Sequence, residues 1–198
     1  MSIINSPCVT PDIGALFVTY EMNETLLRNV QSFSNTFTGQ PALIIDNSSA
    51  EYKHTNPLEK SLHSVSSAAR YVDHTVNSRF AAYNQIRNLA ATQYVVFRTD
   101  DDTFDERALA SILDQTDIKT FAVTPHFFNG EKQWGSGYQH PLEAIIFKRQ
   151  FLLSLLPFSD SEGGDWDLLR RAFEIAEPEM IDIPVLDKVP HGRPGPIL

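Results

Sequence analysis

Three consecutive acids, Asp100-Asp101-Asp102, are the densest concentration of chemistry in the chain. Neighbouring carboxylates repel, and each added one raises the cost of ionising the set. A divalent cation removes that cost, and Mg²⁺ in particular favours a few carboxylates together with substrate phosphates and water. The turn therefore suits a metal–diphosphate complex. Acids also favour the positive end of a helix dipole. That explains Asp105 and Glu106, inside the first turn of the helix expected next, and explains the triplet poorly, because it precedes the cap. A phosphatase with an aspartyl nucleophile wants Thr or Val two places after the second Asp, on a first strand. Phe104 stands there, in mid-chain, and that chemistry is excluded.

The elements that must carry this turn follow from the apolar periodicity. Strand-length apolar runs alternate with stretches of helical period, the sign of βαβ units around a largely parallel sheet. A strand over 14–19 leads into a helix with Asn23 as N-cap and Leu26, Leu27, Val30 and Phe33 on one face. A strand over 42–45 ends in the turn formers Asp46-Asn47-Ser48-Ser49. Residues 50–78 are polar and weakly patterned, read as loops around one short strand near Tyr71 and Val72. A helix over about 80–91 precedes a strand over 94–97. Thr103 and Glu106 have the spacing of a capping box ahead of a helix with Ala108, Leu109, Ile112 and Leu113 inward. A strand over 120–123 is followed by a glycine-bearing loop or hairpin over 125–141. A strand near 144–147, a short helix over 149–156 and a helix from Asp165 complete the pattern, the last with Leu168, Leu169, Ala172, Phe173 and Ala176 at spacings of three and four. The tail from Pro184 is too rich in proline for a helix. In open α/β sheets ligands sit outside the carboxyl ends of the strands, so Thr19 to Glu21, Asp46 to Ser49 and the aspartates share one rim.

Composition narrows the partners. The 198 residues fit one domain. Sixteen basic against twenty-five acidic residues leave a net charge of −9, which repels phosphate backbones and disfavours nucleic acid. Cys8 is the only cysteine, so a disulfide framework and a multi-thiolate zinc site are excluded. There is no basic-then-apolar leader and no apolar stretch of membrane-spanning length. The expectation is a soluble, cytoplasmic protein with no transmembrane segment.

The ordered motifs resemble the nucleotide-diphospho-sugar glycosyltransferases of GT-A fold, closest to the inverting family 2, over about 14–171. Val18-Thr19-Tyr20-Glu21 is similar to that family's opening strand and turn. Ile44-Ile45-Asp46-Asn47-Ser48-Ser49 resembles its "VVDDGS" segment. Ala82-Tyr83-Asn84-Gln85 through Phe97 resembles the "ARNxG…GEYIxFLDxDD" stretch, with Asp100 to Asp102 as "DxD". Trp134-Gly135-Ser136-Gly137 sits where the fold keeps a glycine-bearing loop against the donor. Gly163-Gly164-Asp165-Trp166-Asp167-Leu168 looks like "EDWDL". Asn47 replaces an Asp, Tyr83 an Arg, and Gly164 a Glu, while Arg98 stands in a normally apolar strand end.

The resemblance implies an α/β GT-A sandwich with a mixed, mostly parallel sheet. Its nucleotide-binding half would cover about 12–103, and its acceptor half and tail about 104–198. It implies transfer of a sugar from a nucleoside diphosphate, uridine by family habit, to a saccharide, lipid-linked or protein-linked acceptor. Mn²⁺ or Mg²⁺ would be held by Asp100 and Asp102, with His191 as a further ligand or else a surface residue. Thr19, Tyr20, Glu21, Asp46, Asn47, Asn84, Asp100, Asp101 and Gly135 fall on donor-binding positions, and Arg79, four residues before Tyr83 on the same helix face, stands in for the missing arginine as the diphosphate contact. Trp134 could stack on a sugar or nucleobase, or pack its own loop. Asp165 is the implied general base, its simpler role being an N-cap, with Glu162 in reserve. Lys188 and Arg193 could clamp the pyrophosphate or remain solvated. A nucleotide-sugar binding module without turnover is the rival from another class. A nucleotidyltransferase wants a glycine-rich basic loop after the first strand, and Thr19 to Asn23 has neither.

Overall fold

The computed structural model describes residues 11–189; Cys8, His191 and Arg193 lie outside them. The chain runs β1 (Ile13–Thr19), α1 (Asn23–Thr36), β2 (Ala42–Asp46), α2 (Ala50–Thr55), α3 (Leu58–Val65), β3 (Ala69–Asp73) and α4 (Arg79–Tyr83). It continues through a 3₁₀ turn (Asn84–Asn88), β4 (Tyr94–Thr99), β5 (Thr103–Phe104), α5 (Glu106–Gln115), β6 (Phe121–Val123), β7 (His126–Phe128) and β8 (Glu131–Gln133). A second 3₁₀ turn (Leu142–Ala144), β9 (Ile145–Lys148), α6 (Arg149–Leu155), α7 (Gly164–Ile175), β10 (Glu179–Met180) and β11 (Leu186–Lys188) follow.

Seven strands form one sheet in the order β10-β6-β9-β4-β1-β2-β3. β3, β2, β1 and β4 are mutually parallel, and β9 is antiparallel to both β4 and β6. β1 is buried at every residue, as a parallel strand covered on both faces must be. Alternate side chains divide between two cores. Leu16, Val18, Leu43, Ile45, Val95 and Phe97 pack with Phe80, Leu152 and Leu168 on one face. Ala15, Phe17, Ile44 and Val96 pack with Leu26, Val30, Leu62 and Leu109 on the other. The result is the expected three-layer α/β/α arrangement.

The strand order switches sides at β1, with β2 and then β3 added on one side and β4 on the other. A crevice forms outside the strand ends at such a point. The register brings the three ends level: Thr19 pairs with Asp46, and Val18 with Thr99. Beyond the rim a second, four-stranded sheet runs β5-β11-β7-β8. It joins the residues that follow the aspartates to the tail and to the 126–133 hairpin.

Several local expectations are corrected. Residues 50–78 are not mostly loop: α2 and α3 occupy much of the stretch, and only Leu58 and Leu62 of these two helices are buried. The helix expected over 80–91 is the single turn of α4 running into 3₁₀ geometry. Asn23 is inside α1 and does not cap it; its amide donates to the carbonyl of Asn56. No capping box forms at Thr103, which is in β5. The cap is Asp105, whose Oδ1 accepts from the N–H groups of Arg107 and Ala108. Asp165 is not an N-cap either: Gly163 caps α7 in the left-handed conformation, φ 78°, which glycine adopts without steric cost.

Candidate functional site

The three strand ends are laced together by their own polar groups. Asp100 is buried, and its Oδ2 accepts from the Thr19 hydroxyl at 2.8 Å and the Tyr20 N–H at 2.6 Å. The Glu21 N–H donates to Ser48 Oγ at 2.9 Å, and Ser49 Oγ returns a bond to Glu21 Oε1 at 2.7 Å. Glu21 holds φ at +59°, uncommon for a residue with a Cβ, and strain of this kind concentrates at functional turns. Asp46 is buried with Oδ1 on the Ser48 N–H and Oδ2 on the Tyr71 hydroxyl. Burial and the Asp46 carboxylate drive the Tyr71 pKa upward, so the phenol remains a donor. Asn47 donates to the Ser78 carbonyl, and its Oδ1 meets His74 Nδ1 at 2.7 Å.

A cavity of about 570 Å³ opens beside this lacework, walled by Tyr20, Asn47, Ser48 and Ser49 from the rim, Lys53 and Leu58 from α2 and α3, and Tyr71 from β3. Asp46 sits behind the wall as its brace. Asn84, expected on the donor, is elsewhere: its side chain donates to the Phe158 carbonyl and accepts the Phe158 N–H, clamping the segment before α7. Arg98, without a role in the sequence, is fully buried and forks onto Glu106 at 2.9 and 3.0 Å, with its guanidinium 4.4 Å from the centre of the Phe104 ring. Its remaining nitrogen reaches the Glu143 carbonyl.

A second cavity, of about 880 Å³, lies toward α7 and the small sheet. Asp165, Arg79, Trp134, Gly135, Glu162 and Lys188 all line it, so the structure brings these six sequence candidates together. Arg79 donates to Asp165 Oδ2 at 3.3 Å, and Asp165 Oδ1 accepts the Trp166 N–H. Burial opposes the Arg79 charge, but the neighbouring Tyr83, Asp165, Glu143 and Asp101 outweigh it and raise its pKa. Gly135 has no room for a side chain: a Cβ there would be 2.2 Å from His140 Nδ1. Its N–H donates to that nitrogen, while His140 Nε2 meets the Thr124 carbonyl at 2.8 Å. The carbonyl can only accept, which fixes His140 as the neutral Nε2–H tautomer.

Asp102 and Lys188 connect the rim to this cavity. Buried Asp102 accepts the Val189 N–H at 3.0 Å and meets Lys188 Nζ at 3.3 Å and Thr99 Oγ1 at 3.2 Å. Burial raises the Asp102 pKa, with Lys188 pulling the other way. Burial likewise works against the Lys188 charge, but Glu143, Asp102 and Asp101 prevail and its pKa is raised. The aspartate turn thus bonds one wall residue of each cavity, Tyr20 of the smaller and Lys188 of the larger.

Glu143 and His126 also line the larger cavity and were missed in the sequence. Glu143 is buried and accepts the hydroxyl of Tyr83, itself fully buried. A charged residue inside the apolar run Leu142 to Phe147 was the available signal. Among the described residues no three His, Cys, Asp or Glu side chains converge on a metal-sized space. A hard dication completed by diphosphate oxygens and water needs only one or two protein carboxylates. A buried carboxylate that already recruits an ammonium fits that demand.

No protein-family profile and no curated protein sequence matches the chain. Solved structures do. TarS 1-349 of S. aureus superposes with a TM-score of 0.68 at 13% identity, covering 89% of this chain and 60% of that one. The Pyrobaculum calidifontis mannosyltransferase PcManGT, with GDP-Man and Mn²⁺, gives 0.67 at 18% identity, covering 93% and 59%. Glucosyl-3-phosphoglycerate synthase of Mycobacterium tuberculosis, with Mn²⁺, UDP and glucosyl-3-phosphoglycerate, gives 0.66 at 15%, covering 93% and 73%. The chain therefore spans about 60% of the length of the first two. These likenesses establish the GT-A fold.

Proposed function

We propose that this chain transfers a glycosyl group, with inversion, from a nucleoside diphosphate sugar to an acceptor hydroxyl. The observation that carries the reading is the aspartate turn, bonded to one wall residue of each of two cavities at the point where the strand order of a GT-A sheet switches sides. The nucleoside occupies the smaller cavity, against Tyr20, Asn47 and Tyr71, with Thr19, Glu21 and Asp46 holding the rim in shape. A uridine donor is our first choice, with guanosine the alternative. The sugar extends into the larger cavity, past Trp134 and Gly135. Asp100 and Asp102 would hold Mn²⁺ or Mg²⁺, which would supply positive charge against the departing diphosphate. Lys188 is placed to share that task, and Arg79, ion-paired with Asp165, steadies the base. His191, outside the described residues, remains a proposed additional ligand.

Asp165 takes the proton from the acceptor hydroxyl. The freed oxygen bonds the anomeric carbon from the face opposite the diphosphate, and the nucleoside diphosphate departs with the electron pair of the broken C–O bond. General-base removal is worth about 10²–10⁴-fold. Asp165→Asn should therefore reduce transfer by about that factor and leave UDP affinity unchanged, as measured by product formation and calorimetry. Calorimetry of UDP and GDP with Mn²⁺ and with EDTA tests the premise, and absence of any cation-assisted nucleotide binding would overturn it.

One observation favours a non-catalytic nucleotide-sugar binding module instead. A Cβ at Gly164 would be 2.1 Å from the Ser159 carbonyl oxygen, so the Glu that the family keeps before its base has no space here. Saturable donor binding with no product over many hours would select that reading.

A further inference from the structure

The chain contains two tryptophans, and both line the larger cavity with their rings exposed, Trp134 at 41% and Trp166 at 46%. An indole left open to water forgoes a large hydrophobic gain, and two on one cavity mark a surface shaped for a flat, partly apolar partner. Trp166 is beside Asp165 in the first turn of α7, and its backbone N–H is bonded to the Asp165 carboxylate. Trp134 follows β8, with its ring centre 6.5 Å from that of His140, whose tautomer is fixed by bonds at both nitrogens.

The charges on the same wall exclude an anionic partner. The cavity carries Glu143, Glu162 and Asp165, and its two cations are already committed, Arg79 to Asp165 and Lys188 to Asp102 and, in the proposed donor complex, to the diphosphate. Burial holds the pKa of both His126 and His140 below the ordinary value, so neither adds positive charge near pH 7. Gln133, Ser136 and Gln139 supply uncharged hydrogen-bonding groups.

We infer that the acceptor is an uncharged saccharide, its pyranose faces lying on Trp134 and Trp166 and one hydroxyl presented to Asp165. This rests on the transferase reading and names its acceptor class. A sugar ring offers an apolar C–H face to an indole and hydroxyls to amides, the combination this wall provides. A phosphorylated acceptor would meet three carboxylates with no uncommitted cation among the described lining residues.

The test is a glycan array bearing neutral, sialylated, sulfated and phosphorylated glycans, probed with the whole chain plus UDP and Mn²⁺. Tryptophan-fluorescence titration then follows with the strongest neutral glycan and with 3-phosphoglycerate. The expected result is binding confined to neutral glycans with a change in tryptophan emission. Trp166→Ala and Trp134→Ala should each weaken it about tenfold, and Trp→Phe at either site should restore most of it. UDP affinity, measured separately by calorimetry, should not change in either Trp166 variant. A blank array, a preference for charged glycans or 3-phosphoglycerate, or alanine variants that bind as well as the parent would overturn the inference. Loss of UDP binding in the parent would instead sink the transferase reading, so the two failures are distinguishable.

Discussion

The two cavities are built on opposite principles. Around the smaller one, polar groups are engaged with one another: Asp46 with Ser48 and Tyr71, Asn47 with Ser78 and His74, Glu21 with Ser48 and Ser49. Around the larger one, two indoles are open, and beside them stand the uncharged Gln133, Ser136 and Gln139 and the paired Arg79 and Lys188. A rim of mutually bonded groups is preorganised and costs little to order on binding. An open aromatic wall tolerates variety, because any ring with a C–H face can lie on it. The difference suits a donor of fixed chemistry and an acceptor chosen by shape.

Breaking what the two cavities share should have the largest effect. Arg98 forks onto Glu106 and also bonds the Glu143 carbonyl, so it ties β4, under the donor rim, to the turn that carries a lining residue of the second cavity. Arg98→Met leaves Glu106 a buried, unpaired carboxylate, which typically costs about 3–5 kcal/mol. Urea denaturation should show that loss, and both UDP and saccharide binding should weaken. Adding Glu106→Leu should recover much of the stability, because the stranded charge is then gone. A single variant as stable as the parent would show that the pair does not join the two halves.

Much of the donor side was legible in sequence, and less of the acceptor side. β1, β2 and β4 announce themselves as apolar runs, and their polar ends mark the rim, because buried parallel strands permit nothing else. α2 and α3, which wall the smaller cavity, escaped because only Leu58 and Leu62 face inward, too few for a helical period. Their spacing of four was the sole trace. The caps at Asp105 and Gly163 were each displaced by two residues from the expected Thr103 and Asp165, since several residues near each start could serve. The roles of Arg98 and Glu143 depend on partners far along the chain. The pairing of Trp134 with Trp166 on one wall depends on bringing a hairpin against α7, which no local pattern specifies.

A smaller perturbation should separate the cavities. Gly135→Ala adds a methyl group 2.2 Å from His140 Nδ1 and 2.6 Å from the Gln139 carbonyl oxygen. The loop must shift, at about 1–3 kcal/mol for overpacking, and Trp134 beside it moves with it. Saccharide-dependent fluorescence should be lost while UDP affinity stays at the parent value. If UDP affinity falls equally, the cavities are one coupled site.

The gentlest separation uses pH. His126 and His140 line only the larger cavity, and burial holds both in the neutral form below their ordinary pKa. For His126 the neighbouring His140 and Lys188 act in the same direction, with Glu143 opposing, and for His140 the bond to Thr124 opposes. The sign follows from proton uptake: as pH falls below about 6.5 the unfolded chain binds protons that these folded imidazoles refuse, so stability declines through that window down to their folded pKa values. Each kcal/mol so lost lowers Tm by about 2–4 °C. Protonating His140 also turns Nδ1 from acceptor to donor and breaks its bond from the Gly135 N–H. Hydrogen exchange at the Gly135 amide, corrected for the intrinsic rate, should therefore accelerate between pH 7.5 and 5.5. The Asn47 amide, bonded to the Thr19 carbonyl at 2.9 Å on the donor rim, should keep its protection, because no imidazole accepts its proton. Equal loss at both amides would mean that acid loosens the whole rim, and the preorganised half would then be no more rigid than the open one.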